Sequence, residues 1–314
     1  MKAGGDIRRA RARTLLAAGT AALAVAALAS QAQAVVLRYT FTSGEAHRYK
    51  DTFKMRGELR HPGLTEPERS EESSWTLHTR KVLSVSGDGE TADVEDRVTA
   101  GETVTVEGGQ TTTEEEPRER TVMSVNRRGK VLKVKSTTPE EDEEPADESA
   151  EFAAWEDALE KAFEAALVLP DRDLKPGDTW TADAAAASPD GGKSKVVVRL
   201  KLLETLTHRG RSCAKIQGRF EVPLDLLVHD IRREMEAEAG AEEFEVEGGG
   251  KMWGDFIWYF DYVNGWDVEQ TVSAKFALKV SLSLAGYGPL GEMSASGMFN
   301  VKSVMLEARG AAAG

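Results

Sequence analysis

Cysteine, histidine and long apolar runs are all scarce in this sequence, and each scarcity closes a route. A single cysteine, Cys213, allows no internal disulfide, so packing must hold the fold. The five histidines, His47, His61, His78, His208 and His229, include no His-x-His or His-Glu-x-x-His pair, so no metal and no cofactor are expected. Past the N-terminal region no segment has the length and apolarity of a membrane-spanning helix.

At the N-terminus, Lys2, Arg8, Arg9, Arg11 and Arg13 precede an uncharged run from Leu15 to Ala29, which ends in the small-residue motif Ala32-Gln33-Ala34. That order is the order of a secretory leader. Residues 1–34 are read as a signal peptide cleaved between Ala34 and Val35. The run is Ala-rich and shorter than the roughly 20 residues that cross a bilayer, so no stable membrane anchor is expected after cleavage. Arg11 stands where a twin-arginine signal turns apolar, which favours the general secretory route. Cys213 is too distant to follow the leader as a lipid-modified cysteine. The mature chain is expected to be soluble and to act in the periplasm or outside the cell.

Removing the leader leaves 35 basic residues against 52 acidic ones, a formal charge of −17. A net charge of that sign repels phosphate backbones and anionic headgroups, which argues against nucleic acid and against direct binding to a membrane surface.

Alternation of period two dominates the chain. Val272, Ala274, Phe276, Leu278, Val280, Leu282 and Leu284 share one face of a long strand, with Thr271, Ser273, Lys275, Lys279, Ser281 and Ser283 on the other. Tyr49, Phe53, Met55 and Leu59 do the same against Arg48, Lys50, Lys54 and Arg56. Strands of this length belong to strongly curved sheets or barrels. Gly87-Asp88-Gly89, Asn126-Arg127-Arg128-Gly129, His208-Arg209-Gly210 and Asn264-Gly265 supply the positive φ of hairpin turns. Two segments carry helical spacing instead: Phe152, Trp155, Leu159, Phe163 and Leu167, and more briefly Leu224–Ala237 with Gly240 as its stop.

The expected fold is mainly β (α+β), with long antiparallel, curved sheets in two related halves. Residues 35–136 form an N-terminal β-rich half and 137–150 an acidic linker around Pro139–Pro145. An amphipathic helix follows over 151–168, then a C-terminal β-rich half over 169–308 with the short second helix, and a flexible tail over 309–314. The halves open alike, with Ser43-Gly44-Glu45 before Tyr49 and Pro176-Gly177-Asp178 before Trp180, which suggests a degenerate repeat.

Leu37-Arg38-Tyr39-Thr40-Phe41, Gly44-Glu45 and Tyr49, Leu169-Pro170, Lys175-Pro176-Gly177-Asp178-Thr179-Trp180 and Phe260-Asp261 with Gly265 together resemble bacterial exported proteins of a domain-of-unknown-function family. The resemblance covers most of the mature chain and implies no catalytic residue. In architecture alone, long curved strands with a crossing helix are similar to the half-barrel of periplasmic lipoprotein carriers.

Motifs that could carry chemistry fail on context. Ser212-Cys213-Ala214-Lys215 has Ser-x-x-Lys spacing but lies in a strand, where positions three apart face opposite sides. Gly286-Tyr287-Gly288-Pro289-Leu290-Gly291 copies a dinucleotide fingerprint without the helix it needs. Gly248-Gly249-Gly250-Lys251 lacks phosphate-loop spacing and reads as a flexible connection. The acidic runs Glu114–Glu116, Glu140–Glu144 and Glu234–Glu247 read as mobile solvated surface rather than a glycosidase pair.

Aromatic residues concentrate in one hairpin, with Phe256, Trp258, Phe260, Tyr262 and Trp266 on one parity and Trp253 and Tyr259 on the other. Such a face either fills a core or lines an apolar groove. The expected function is non-enzymatic binding of a lipid or other apolar molecule, lined by Trp258, Phe276, Leu278, Val280 and Leu282. The alternative is a structural or protein-interaction module of the envelope, and a hydrolase is the least supported.

Overall fold

The alternation read in the sequence is realised in twelve strands. The computed structural model describes residues 34–63, 65–139, 168–187, 193–224, 228, 244–284 and 288–309. The strands are β1 (Ala46–Arg60), β2 (Glu68–Val85), β3 (Thr91–Glu107), β4 (Gln110–Glu115), β5 (Glu119–Asn126), β6 (Val131–Pro139), β7 (Thr179–Ala187), β8 (Lys193–His208), β9 (Arg211–Pro223), β10 (Phe244–Asp261), β11 (Trp266–Leu284) and β12 (Gly288–Arg309).

All of them belong to one antiparallel sheet ordered β6-β5-β3-β2-β1-β12-β11-β10-β9-β8-β7, with β4 paired beside β5 on β3. The ladder between β1 and β12 runs from Ala46↔Arg309 to Arg60↔Ser294 and joins the two ends of the sequence in the middle of the sheet. The sheet is open, because β6 and β7 end the order without pairing to each other.

This corrects the expectation of an α+β fold. Among the described residues no helix is an element of the fold, and the strands form one sheet. Helical spacing over 151–168 and 224–237 falls almost wholly outside the described residues; within them Val228 N–H donates to Leu224 O at 3.3 Å. Of the acidic linker, 137–139 continue β6 and the rest lies outside the described residues. Two segments expected to be mobile are strands. Glu114 and Glu115 lie in β4, and Gly248–Gly250 lie inside β10, opposite Val280, Lys279 and Leu278 of β11. A Cβ on Gly248 would stand 2.3 Å from the Lys279 carbonyl oxygen, so these glycines serve a close approach of two backbones.

The four expected hairpins form, with Gly89, Gly129, Gly210 and Gly265 at positive φ. Gly265 has a second reason to be glycine, since a Cβ there would lie 2.3 Å from Thr40 N.

One face of the sheet carries the core and is concave, because side chains three strands apart meet on it: Arg80 of β2 lies 3.4 Å from Asp267 of β11. Phe256, Trp258 and Phe260 of β10 pack with Leu200 and Leu202 of β8, Ile216 of β9 and Val272 and Val280 of β11. Phe256 lies flat over Gly218, where a Cβ would come within 1.9 Å of its ring. Val35, Leu37 and Tyr39 alternate inward on an extended segment that crosses the hairpin end of the sheet. Leu169 and Leu174 join them, with Val35 bridged to Leu174 and Tyr39 N–H bonded to Arg127 O at 2.8 Å. These two segments close that end of the core.

Candidate functional site

The expected ligand-lining residues divide into two kinds. Trp258, Leu278 and Val280 are buried in the core, whereas Phe276 and Leu282 pack against it and stay partly exposed. Partly exposed on the same face are Phe53 and Met55 of β1 and Ala295 and Val301 of β12. Register explains the grouping. Phe53↔Val301↔Val272, Met55↔Phe299↔Ala274 and Gly57↔Gly297↔Phe276 are successive inward rows across β1, β12 and β11. They make an apolar stripe along the concave face. At the expected cleavage bond, Ala34 is exposed and Val35 is buried against the core.

The next inward row, Asp51↔Ser303↔Gln270, turns polar. Beyond it lies a buried charge network absent from the sequence-based expectations. Tyr39 OH and Trp258 Nε1 each donate to Asp267 Oδ1 at 2.9 Å. Arg80 Nη1 reaches Asp267 Oδ2 at 3.4 Å, while its Nε and Nη2 donate to Asp96 Oδ2 at 3.2 and 3.0 Å. His78 Nδ1 lies 2.6 Å from Asp96 Oδ1, and its Nε2 lies 3.1 Å from Asp51 Oδ2. Tyr49 stacks under the Arg80 guanidinium at 5.4 Å. Tyr49, Asp51, His78, Arg80, Asp267, Gln270 and Ser303 line a cavity of about 230 Å³ whose remaining wall includes Val272 and Val301 of the apolar stripe.

The electrostatics follow from burial set against pairing. Burial works against charge on His78, but the carboxylates of Asp51 and Asp96 outweigh it and push the imidazole up to about 9. Burial likewise opposes ionisation of Asp96, yet Arg80 and His78 bring its carboxyl down to about 2. Asp267 moves up through burial, countered in part by Arg80, Tyr39 and Trp258. Burial holds the phenols of Tyr39 and Tyr49 protonated far beyond their usual range. Two buried atoms on the cavity, Asp51 Oδ1 and His78 Nε2, make no aligned hydrogen bond among the described residues.

This arrangement is suited to hydrogen bonding a polar group. A histidine held charged by two carboxylates is a poor base near neutral pH. Cys213 is buried and its thiol is pushed up to about 11, chiefly by that burial. Lys215 pairs with Glu204 at 3.2 Å instead of serving Ser212. His47, buried against the Trp266 ring at 3.9 Å, is held neutral down to about 4 by burial and by Arg211 and Arg80.

A signal for the network was present in strand parity. His78 and Arg80 lead into Val82, and Asp96 follows Ala92 and Val94 at every second residue. Charged residues at positions that point into a core are the mark of a paired cluster.

No protein-family model matches this chain, and no curated protein matches it by sequence. Among solved structures, OccK7 (OpdD) of Pseudomonas aeruginosa shares 8% identity at a TM-score of 0.25, over 85% of this chain and 100% of that one. The COG4313 outer membrane channel of Pseudomonas putida F1 shares 7% at 0.25, over 84% and 97%. The translocator domain of the autotransporter NalP of Neisseria meningitidis shares 10% at 0.22, over 83% and 88%. Scores of this size establish neither a shared fold nor a shared role.

Proposed function

We propose that this is an exported, non-enzymatic binding protein of the cell envelope whose ligand is an amphiphile. Its apolar chain lies along Phe53, Met55, Phe276, Leu282 and Val301, and its polar end enters the cavity beside His78 and Arg80. The observation that carries this reading is the shared wall: Val272 and Val301 belong both to the apolar stripe and to the polar cavity. A ligand with one apolar and one hydrogen-bonding end fits such a boundary.

The test is to purify the protein from its native host, extract it with organic solvent and identify what it carries by mass spectrometry. A stoichiometric lipid is expected, with uptake of a fluorescent fatty acid reduced about tenfold or more by Phe276→Asp, which sets a charge against the chain. An empty extract together with no uptake would end the proposal. Fractionation of the host checks the location.

A second reading, an envelope interaction module, is favoured by the open edge at β6, whose Leu132 and Val134 are each 51% exposed. A crosslinked protein partner in the absence of any small molecule would support it.

A further inference from the structure

Basic residues gather at the centre of the sheet's outer face. Three successive rows cross the outer face at the centre of the molecule. The first is Val197↔Glu221↔Trp253↔Lys275↔Met298↔Arg56↔Glu71. The second is Arg199↔Arg219↔Asp255↔Ser273↔Asn300↔Lys54↔Ser73. The third is Lys201↔Gln217↔Ile257↔Thr271↔Lys302↔Thr52↔Trp75. Between β8 and β2 they hold seven basic residues against three acidic ones, on a chain whose formal charge is −13, while Asp183 of β7, Glu102 of β3 and Glu115 of β4 continue the first and third rows at the flanks.

The three acids are each matched, Asp255 by Arg219 at 2.9 Å, Glu71 by Arg56 at 3.3 Å and Glu221 by Lys251 at 3.7 Å. Lys54, Lys275, Arg199 and Lys201 are exposed and, among the described residues, have no ion-pair partner. Arg199 stands directly opposite Arg219 across the ladder, and Asp255 pairs with Arg219 alone, so Arg199 adds an unbalanced charge to the patch.

Among these cations sit two large side chains that a water-facing strand does not need. Trp253 is 37% exposed with Lys251 Nζ 5.4 Å above its ring, and Met298 is 45% exposed between Lys275 and Arg56. Lysine and arginine around an exposed tryptophan are the composition of an interfacial membrane contact, in which the ring sits at headgroup level and the cations meet anionic lipid. From Arg219 on β9 to Lys54 on β1 the patch spans four strand spacings, about 19 Å, wide enough for several headgroups.

We infer that this outer face, centred on Trp253, Lys275, Met298 and Lys54, docks on an anionic lipid bilayer. The repulsion implied by net charge does not reach it, because the cations lie on the contacting face and screening confines the field to about 8–10 Å.

Vesicle flotation of the exported protein tests this. Binding is expected to vesicles of phosphatidylglycerol mixed with phosphatidylcholine and to be at least about tenfold weaker to phosphatidylcholine alone, with high salt giving the same loss. Lys54→Glu combined with Lys275→Glu is expected to reduce binding about tenfold or more, and Trp253→Ala to reduce it less, about threefold. All three side chains are exposed, so a thermal melt matching the unsubstituted protein checks that folding is unaltered. Equal binding to both vesicle types, or charge-reversed protein that floats like the original, overturns the proposal. So does retention on immobilised polyglutamate with no flotation, which would assign the face to an acidic protein instead.

Discussion

The concave face is built from one ladder, yet its two sides are chemically opposite. From β8 to β10 it is apolar and buried, with Trp258, Phe256, Leu200 and Ile216 in one core with Leu37, Leu169 and Leu174. From β1 to β3 it carries Asp51, His78, Arg80 and Asp96 around a cavity. Packing holds the first side and pairing holds the second, and the two meet at Asp267, which takes Trp258 and Tyr39 from the apolar side and Arg80 from the other. The difference shows how a single sheet can have both a core and a candidate site. Curvature buries whatever points inward, and the inward residue type decides whether that burial expels water or confines charge.

The sharpest way to break the comparison is Trp258→Ala, which opens the core and strips Asp267 of a donor. It is expected to cost about 5 kcal/mol in urea unfolding, the upper end for aromatic truncation. Trp253→Ala, on the outer face, is expected to stay within about 0.5 kcal/mol. On the paired side, Arg80→Met leaves Asp267 without its cation and Asp96 with His78 alone, and is expected to cost about 3–4 kcal/mol.

The pH dependence separates the sides further. His78, raised to about 9, contributes stability that is complete below its unfolded pKa and lost as pH rises from about 6.5 through 9, about 3 kcal/mol in all. His47, lowered to about 4, acts in the other direction, contributing above about 6.5 and losing that contribution as pH falls toward 4. Asp96 adds to the acid limb as pH falls toward 2. Maximal thermal stability is therefore expected near pH 6.5, and His78→Gln should flatten the alkaline limb while leaving the acid limb in place. The smallest effect is expected at the exposed Lys279–Glu292 pair, 2.6 Å apart, where Lys279→Ala should change stability by less than about 0.5 kcal/mol.

Much of the fold was legible one strand at a time. The alternation of Val272 to Leu282 and of Tyr49 to Met55 named the inward faces of β11 and β1, and Gly89, Gly129, Gly210 and Gly265 named four turns. Gly248–Gly250 misled, because three glycines look like a loop when the backbone of β11 is pressed against Gly248 and Gly250. The helical spacing at 151–168 promised a second layer, while the described residues fill their core with strands and the segments 35–41 and 169–174. The candidate site was half visible. Phe276 and Leu282 were named from parity, but His78, Arg80, Asp96 and Asp267 come together from strands far apart in the chain.

Local order, then, was written in the residues themselves: which side chains alternate and where the chain turns depend on neighbours one to four positions away. The β1–β12 ladder, the meeting of Asp267 with Arg80, and the gathering of cations at the centre of the outer face depend on register between residues more than a hundred positions apart. A net charge of −13 is a sum without direction. The sheet gives it one, because pairing fixes which alternate residues of β8 to β12 and β1 line up on the same side.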